Sequence, residues 1–366
     1  SGKRVVVMGL GRFGGQIAVA RYLATHGARV LITDASPAEK LAPSVEQLKD
    51  LESFPRVFLH GNPHIDNYAH THRGGAMVDF DRSRVGPYLW DLVRLMVSIA
   101  IRDKNGARAT LRPPVQERLR EGYLRGFRNP ELEFAQVQKL RQQPVDQKDL
   151  TMRSYIRRNL GWARKLKEGA IPTDHPVMRE VFQQYLESRG ETSLLERYVL
   201  AEAGIAHGSM GQRRYLIALE PRRKNSIEDH ILIDIKETIQ LVDTAHFTNP
   251  FSHDGRRMIH ASNLYAPGWS EGEGFAMVEG RQFYGRFVPP FSLKLKSGLD
   301  LNEQLDFAWA VGTQLGRGHR LSLQGIDPEA MLERFSGDYE TIVRLADQLL
   351  QEVLQAYKRY GRGAKD

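Results

Sequence analysis

Between Arg56 and Asp81 the chain runs RVFLHGNPHIDNYAHTHRGGAMVDFD, which sets more reactive side chains between two short apolar runs than any other stretch. Val57-Phe58-Leu59 stops at Gly61 and Pro63, and Ala76-Met77-Val78 stops at Asp79. Both have the form of buried strands that end at a site. His60, Asn62, His64, Asp66 and Asn67 lie between them, in a loop that can sit beside Asp79 and Asp81. Metal-assisted phosphate chemistry needs that composition. Magnesium takes hard oxygen ligands in octahedral geometry, usually one or two from the protein and the rest from phosphate and water. An amide oxygen and a carboxylate suffice.

The second informative stretch is Leu200 to Glu237. Gly204-Ile205-Ala206-His207-Gly208-Ser209-Met210-Gly211 is a glycine-rich turn between apolar runs. A strand over Arg214 to Leu219, a polar turn over Pro221 to Glu228 and a strand over His230 to Ile235 follow, the last running into Lys236. The pattern suits a flap whose backbone N–H groups approach phosphates, with a lysine on a neighbouring strand to pair them.

At these residues a family resemblance enters. His60 to Asn67 resembles the catalytic loop H-G-D-x-x-x-x-N of aminoglycoside phosphotransferase and choline kinase-like enzymes, and Val78-Asp79-Phe80-Asp81 resembles their I-D-[FW]-[ED]. With GPYLWDLVRL at Gly86 to Leu95, the text is similar to an uncharacterised bacterial family carrying a kinase-like signature. The resemblance implies ATP and Mg2+ as cofactors, Asn67 and Asp79 as metal ligands with Asp81 beside them, and Gly208, Ser209, Gly211 and Lys236 as the nucleotide-binding set. The family's first loop glycine falls at Ala206. Because the metal loop precedes the glycine loop in the chain, the implied fold is a circularly permuted protein-kinase-like domain.

Two departures bear on chemistry. The loop's general-base aspartate is Asn62 here, and an amide takes no proton from a hydroxyl at neutral pH. Phosphoryl transfer rests mostly on positioning and charge stabilisation, so the loss need not abolish it. Asn62, His64 and Asp66 are the catalytic candidates, with His64 or Asp66 as replacement base. Phosphoryl or nucleotidyl transfer to an unidentified acceptor is the leading expectation, and a non-catalytic nucleotide-binding pseudokinase or interaction module is the alternative. The second departure is His260, where the resemblance expects the glutamate that pairs the strand lysine. Glu237, Glu271 and Glu273 are candidates to replace it.

Residues 1 to 35 carry a third pattern: strand Arg4 to Met8, then Gly9-Leu10-Gly11-Arg12-Phe13-Gly14, a helix over Gly15 to His26, and strand Arg29 to Thr33 ending at Asp34. Gly9, Gly11 and Gly14 suit a tight turn under a pyrophosphate, and an acid about 20 residues further on can hold a ribose, which places Asp34. The text is similar to the N-terminal domain of UDP-N-acetylmuramoylalanine D-glutamate ligase, which implies UDP-sugar or dinucleotide binding. The ligase's ATP-binding G-T-N-G-K-[ST] motif occurs nowhere in the chain, which argues against ligase activity. A fragment that packs but binds nothing is the other reading.

The elements that must position these residues follow from periodicity and punctuation. A polar segment at Ala35 to Phe54, with a helix-like piece over Ser44 to Leu51, separates a Rossmann-like βαβ unit at 1–52 from a kinase-like domain at 53–366. In the latter we expect the metal and catalytic loop at 56–81, a helical region at 86–200, the glycine-loop lobe at 201–290 and C-terminal helices at 301–360. The overall class is α+β. Leu89, Leu92, Val93, Met96, Val97 and Ala100 give Gly86 to Ile101 an apolar helical face. On that helix Trp90, Asp91 and Arg94 fit a core tryptophan with a surface ion pair better than a support for the loop. Arg256 to Leu264 is helical, Phe275 to Pro289 alternates as a hairpin turning at Glu279-Gly280, and Asp327-Pro328 opens the last helix. Gly318-His319 resembles a recurrent family A-H, and a histidine capping helix carbonyls is the equal alternative.

Composition narrows the partners. No cysteine is present, so disulfides, thiolate metal sites and a cysteine nucleophile are excluded. No apolar run approaches the ~20 residues of a membrane span, and no signal peptide is visible, so cytoplasm is the expectation. The net charge of +8 is spread along the chain, and the basic run Arg153 to Lys167 suits a solvated helix face better than nucleic acid. A nucleotide and an unidentified acceptor substrate are the partners expected.

Overall fold

The computed structural model describes residues 4–8, 29–33, 54–108, 110–131, 137–141, 167–208, 211–223, 230–244, 246–295 and 298–363. The chain divides into two compact units, Ser1–Phe54 with Gln355–Asp366, and Pro55–Leu354. In the first, β1 (Arg4–Met8) and β2 (Arg29–Thr33) pair in parallel, Arg4 opposite Arg29 through Met8 opposite Thr33. A parallel pair requires a crossover between its strands. Gly9, Gly11, Gly14, Asp34 and the expected helices over 15–26 and 44–51 lie outside the described residues, as do Ser209 and the basic run up to residue 166.

The second unit begins with β3 (Arg56–Leu59), a 3-10 turn at Ile65–Asn67, β4 (Tyr68–Thr71), β5 (Gly74–Met77) and β6 (Arg84–Pro87). Helices α1 (Leu89–Ile101), α2 (Pro113–Arg128) and the short α3 (Gln138–Arg141) follow. Then come β7 (Ala170–Ile171), α4 (Pro176–Ser188), α5 (Leu194–Arg197), β8 (Tyr198–His207), β9 (Arg213–Pro221) and β10 (Ile231–Glu237). The chain continues through α6 (Asp254–Tyr265), β11 (Gly274–Val278), β12 (Arg281–Phe287), β13 (Leu293–Lys294), α7 (Leu301–Leu321) and α8 (Pro328–Gly363), whose residues from Gln355 on are counted with the first unit. The content is α+β.

Two small sheets carry the loop residues. β3 pairs antiparallel with β6, and the β4–β5 hairpin is extended by β13, Leu293 opposite His70. The helix expected from Gly86 starts at Leu89 because Gly86 and Pro87 are still paired with β3. Leu95, Ser98 and Ile99 are buried along with the expected apolar face, so α1 is enclosed rather than one-sided.

The larger sheet has the strand order β11-β12-β10-β9-β8-β7, all antiparallel. The strands that flank the glycine turn, the lysine strand and the hairpin therefore belong to one sheet. At the β11–β12 turn both Glu279 (φ 52°) and Gly280 (φ 71°) are left-handed, the two-residue turn whose twist suits a hairpin. One sheet face packs Tyr215, Ile217, Ile233, Ile235 and Phe283 on Phe182 and Tyr185 of α4. His175 caps α4, accepting from Met178 N–H at 3.3 Å.

Helices α2 and α7 meet backbone to backbone. A Cβ on Gly126 would lie 2.0 Å from the Thr313 carbonyl oxygen, and one on Gly316 would lie 2.1 Å from that of Tyr123. Only glycine permits this approach. Asp327 caps α8, accepting from Glu329 N–H at 2.9 Å. Among the described residues no helix is long and apolar enough to cross a membrane.

Candidate functional site

The loop after β3 is held from beneath by a buried carboxylate. Asp91 of α1 accepts from His60 N–H (2.7 Å) and Gly61 N–H (2.9 Å), and His319 Nε2 lies 3.2 Å from the same carboxylate. Tyr123 O–H and His319 Nδ1 are 3.1 Å apart, which extends the network into α2. Asp91 and His319 are fully buried, so their polar atoms depend on these partners. Asp91 is thus the loop's support, not half of a surface ion pair, and His319 does not cap carbonyls. Trp90 packs edge-on against Phe247. Gly61 has φ 87°, and a Cβ there would meet the Arg82 carbonyl at 2.0 Å, so the first turn of the loop admits only glycine. The His60 ring sits against Phe80 and Tyr265, and burial pushes its pKa down to about 4 against the opposing pull of Asp91 and Asp79.

A fully buried arginine holds the other end. Arg257 of α6 donates to the backbone carbonyls of Phe80 (3.3 Å), Asp81 (3.1 Å), Ser83 (2.6 Å) and Ile239 (3.4 Å), and to the Ser83 hydroxyl (3.1 Å). Its Nε donates to Asp254 at 2.8 Å. One guanidinium therefore fixes the path of Phe80-Asp81-Arg82-Ser83 against the helix of the larger sheet. Gln314 of α7 clamps Met77 on both backbone groups, at 2.8 and 2.9 Å. Between these anchors Asp79 takes φ 74°, a left-handed backbone uncommon for a non-glycine residue and typical of functional sites where the surroundings enforce it.

A cavity of about 300 Å³ opens between loop and sheet. Asn67, Asp79 and Asp81 line it from one side, and Gly208, Gln212, Arg214, Asp234, Lys236 and Arg286 from the other. Lys236 Nζ lies 2.7 Å from Asp81 and 3.4 Å from Asp79, a contact spanning 157 residues of sequence. Burial raises the Asp79 carboxyl, but the charge and hydrogen bond of Lys236, with His60 and Arg286, bring it below the usual carboxylate range. Arg214 pairs with Asp234 at 2.7 Å. Gly208 N–H is committed to Gln212 O (2.8 Å) and Gly211 N–H to Gly208 O (3.0 Å), which closes the hairpin tip.

The oxygen donors suit a hard cation. Asn67 Nδ2 donates to Asn62 O at 3.2 Å, which leaves its amide oxygen for another partner, and Asn67 O accepts from Val78 N–H at 2.8 Å, beside Asp79. Among the described residues no three His, Asp or Glu side chains converge as a metal cage. Magnesium bound partly by phosphate and water needs none.

The three catalytic candidates are not among the residues lining this cavity. Asn62 Oδ1 accepts from Arg94 Nε at 3.1 Å, and Asp66 is 60% exposed and paired with Arg102 at 2.8 Å. His64 Nδ1 lies 3.8 Å from Asp66, and burial, followed by Arg94, lowers its pKa, so the imidazole is neutral at pH 7.

None of the three candidate glutamates reaches Lys236. Glu237 pairs with Arg281 at 3.2 Å, Glu271 with Arg73 and His72, and Glu273 accepts from Tyr284 O–H at 2.6 Å. Asp81, from the loop side of the cavity, takes the position instead. His260 is part of an aromatic cluster, with ring centroids 4.8 Å from Phe58 and 5.1 Å from Phe251. Sequence reasoning missed Arg257. Its only local signal was an arginine one turn after an acid, Asp254, at the start of a helix.

Known proteins match the chain in two parts. Residues 132–362 match a family described as uncharacterised proteins conserved in bacteria, DUF2252, and residues 14–137 match the phosphotransferase enzyme family. UDP-N-acetylmuramoylalanine–D-glutamate ligase of Geotalea uraniireducens is 52% identical over 50 residues, 14% of this chain and 11% of the ligase. The Treponema pallidum ligase is 39% identical over 72 residues, 19% of this chain and 13% of the ligase. The chain thus spans between 11% and 13% of the length of these curated relatives. No solved structure matches it. The match over 132–362 covers more than half of the chain, which therefore belongs to the uncharacterised bacterial family, and the phosphotransferase match supports kinase-like phosphoryl transfer in general.

Proposed function

We propose that this member of the uncharacterised bacterial family binds ATP with Mg2+ in the cavity between loop and sheet and transfers a phosphoryl group to an acceptor. One observation carries the reading. Asn67, Asp79 and Asp81 from the start of the unit face Gly208 and Lys236 from its middle across a single cavity. In this reading the kinase-like domain is circularly permuted, extends over 53–366, and follows a Rossmann-like βαβ unit at 1–52.

The chain's own groups have distinct parts. The Gly208 hairpin covers the phosphates, and Lys236 with Arg286 neutralises their charge. Asn67 and Asp79, joined by Asp81, hold Mg2+, which supplies charge neutralisation of the phosphates when bound. Arg257 and Asp91 keep the two ends of the loop in place, so that little reorganisation is needed on binding. Lys236 is clasped by Asp81 and Asp79 in the free protein, so cation and phosphate exchange places with an existing ion pair rather than entering an empty site.

The test is binding of ATP and ADP, each with and without Mg2+, read as a thermal shift and by calorimetry. A Mg2+-dependent shift that Lys236→Ala and Asp79→Ala both diminish is expected. Equal affinity in all three proteins sinks the assignment.

A second reading has its own observations. The ligase matches and the parallel β1–β2 pair favour binding of a UDP-sugar or dinucleotide by Gly9, Gly11, Gly14 and Asp34. Saturable binding of UDP or NAD abolished by Gly11→Val would support it, and its persistence in that variant would discard it.

A further inference from the structure

The vacant base position has a definite hydrogen-bonding polarity. A guanidinium offers only donors, so the Asn62 atom facing Arg94 Nε must be the amide oxygen. The end of the amide that remains is its NH2, another donor. The two terminal nitrogens of Arg94 have no hydrogen-bond or ion-pair partner among the described residues, although the side chain is partly buried. Asp66, the acid whose charge acts on Arg94, is engaged by Arg102 at 2.8 Å, and Lys294 Nζ donates to the Asp66 carbonyl at 3.3 Å. A hydroxyl that must lose its proton needs an acceptor beside it. This position presents donors and positive charge.

We infer that the acceptor is an anion, a carboxylate or a phosphate ester, which Arg94 and Asn62 bind and whose own oxygen is the nucleophile. The inference rests on the phosphoryl-transfer reading and supplies its missing substrate class. A lone pair of the anionic oxygen forms the new bond to the γ-phosphorus, the bond from that phosphorus to the β–γ bridging oxygen breaks, and ADP leaves with the electron pair. No proton is removed from the nucleophile, so no base is required. An aspartate at position 62 would repel such an acceptor and tie up Arg94, and asparagine does neither. Arg94 binds the acceptor directly, which distinguishes it from Asp91 and Arg257, whose contacts are with the loop backbone.

The experiment measures citrate and inorganic pyrophosphate binding by calorimetry to the full chain, without nucleotide, in wild type, Arg94→Gln, Arg94→Lys, Asn62→Asp and Lys236→Ala. At least one of the anions is expected to bind. Its affinity should fall about tenfold or more in Arg94→Gln, the loss of a charge-assisted hydrogen bond, and likewise in Asn62→Asp. Arg94→Lys should retain part of it. Matched melting curves show that each variant is folded. Absence of binding by both anions, or binding that only Lys236→Ala weakens, overturns the inference while leaving the nucleotide reading to its own test. Turnover gives the second arm: a plain alcohol phosphorylated from MgATP as efficiently as any carboxylate or phosphate ester would also overturn it, even if the anions bind.

Discussion

The two walls of the cavity are built on opposite plans. The loop wall, 60–83, is pinned through its backbone by buried side chains from three different helices: Asp91 of α1, Arg257 of α6 and Gln314 of α7. The glycine hairpin between β8 and β9 is tied to itself, through Gly208 N–H to Gln212 O and Gly211 N–H to Gly208 O, and a Cβ on Gly211 would meet nothing within 4 Å. Under the proposed function, rigidity is concentrated where metal-binding oxygens must keep a fixed spacing, and freedom is left where a cover must adapt to the phosphates beneath it. The contrast can be broken from either side.

The largest effect is expected from Arg257→Ala, which strands Asp254 and several carbonyls in the core. Uncompensated buried charges and polar groups of this kind cost about 4 kcal/mol, which urea unfolding would read as a marked fall in midpoint. A midpoint close to wild type would mean that the loop does not depend on α6. Asp91→Ala should cost about 3 kcal/mol, since two buried N–H groups lose a charged acceptor. Here hydrogen exchange at His60 and Gly61 is the decisive readout, because protection should fall at those amides before it falls in β8 to β10.

Acid should loosen the same wall. His60 has its ordinary pKa of 6.5 when unfolded and about 4 in the folded chain, so the unfolded state binds the proton more readily. Its contribution to stability is complete above pH 6.5 and is lost as pH falls from 6.5 to 4. The size is on the order of 3 kcal/mol. His64, His253 and His260 are lowered as well, each first by burial, and act in the same direction. Unfolding at pH 7.5 and pH 5 should show the fall, and His60→Asn should flatten it. An unchanged slope in that variant would place the effect in the other histidines.

The smallest effects on stability belong to the hairpin. Gly211→Ala forces alanine into φ 81° and should cost about 1 kcal/mol, while Gly208→Ala meets only the flexible end of Gln212 and should cost less than about 0.5 kcal/mol. Both should weaken MgATP binding by more than they weaken the fold. A variant that loses stability but no affinity would argue that the hairpin is structural.

What the sequence disclosed and withheld follows from the range of the interactions. The β11–β12 turn, the Asp327 cap and the order of glycine turn, lysine strand and helix were legible because each depends on neighbours a few residues away. So was the grouping of Asn67, Asp79 and Asp81, which flank a single hairpin and line one cavity. The anchors were not legible. Asp91 looked like one end of a surface pair with Arg94 because its true partners are two amides 30 and 31 residues earlier and a histidine 228 residues later. Arg257 acts on carbonyls more than 170 residues away, and carbonyls are common to every residue, so no pattern of side chains announces them. The partner of Lys236 was sought among glutamates near its own strand and is an aspartate of the opposite wall.

The seam between α2 and α7 bears on how the protein is made. Glycines on both helices let the backbones touch, yet α2 precedes the larger sheet and α7 follows it. During synthesis the loop, α1 and α2 therefore emerge long before the helix that supplies Gln314 and His319. Until then the underside of the loop wall is uncovered, and contacts this distant in sequence form slowly. The early half of the site becomes a finished structure only when the last third of the chain arrives.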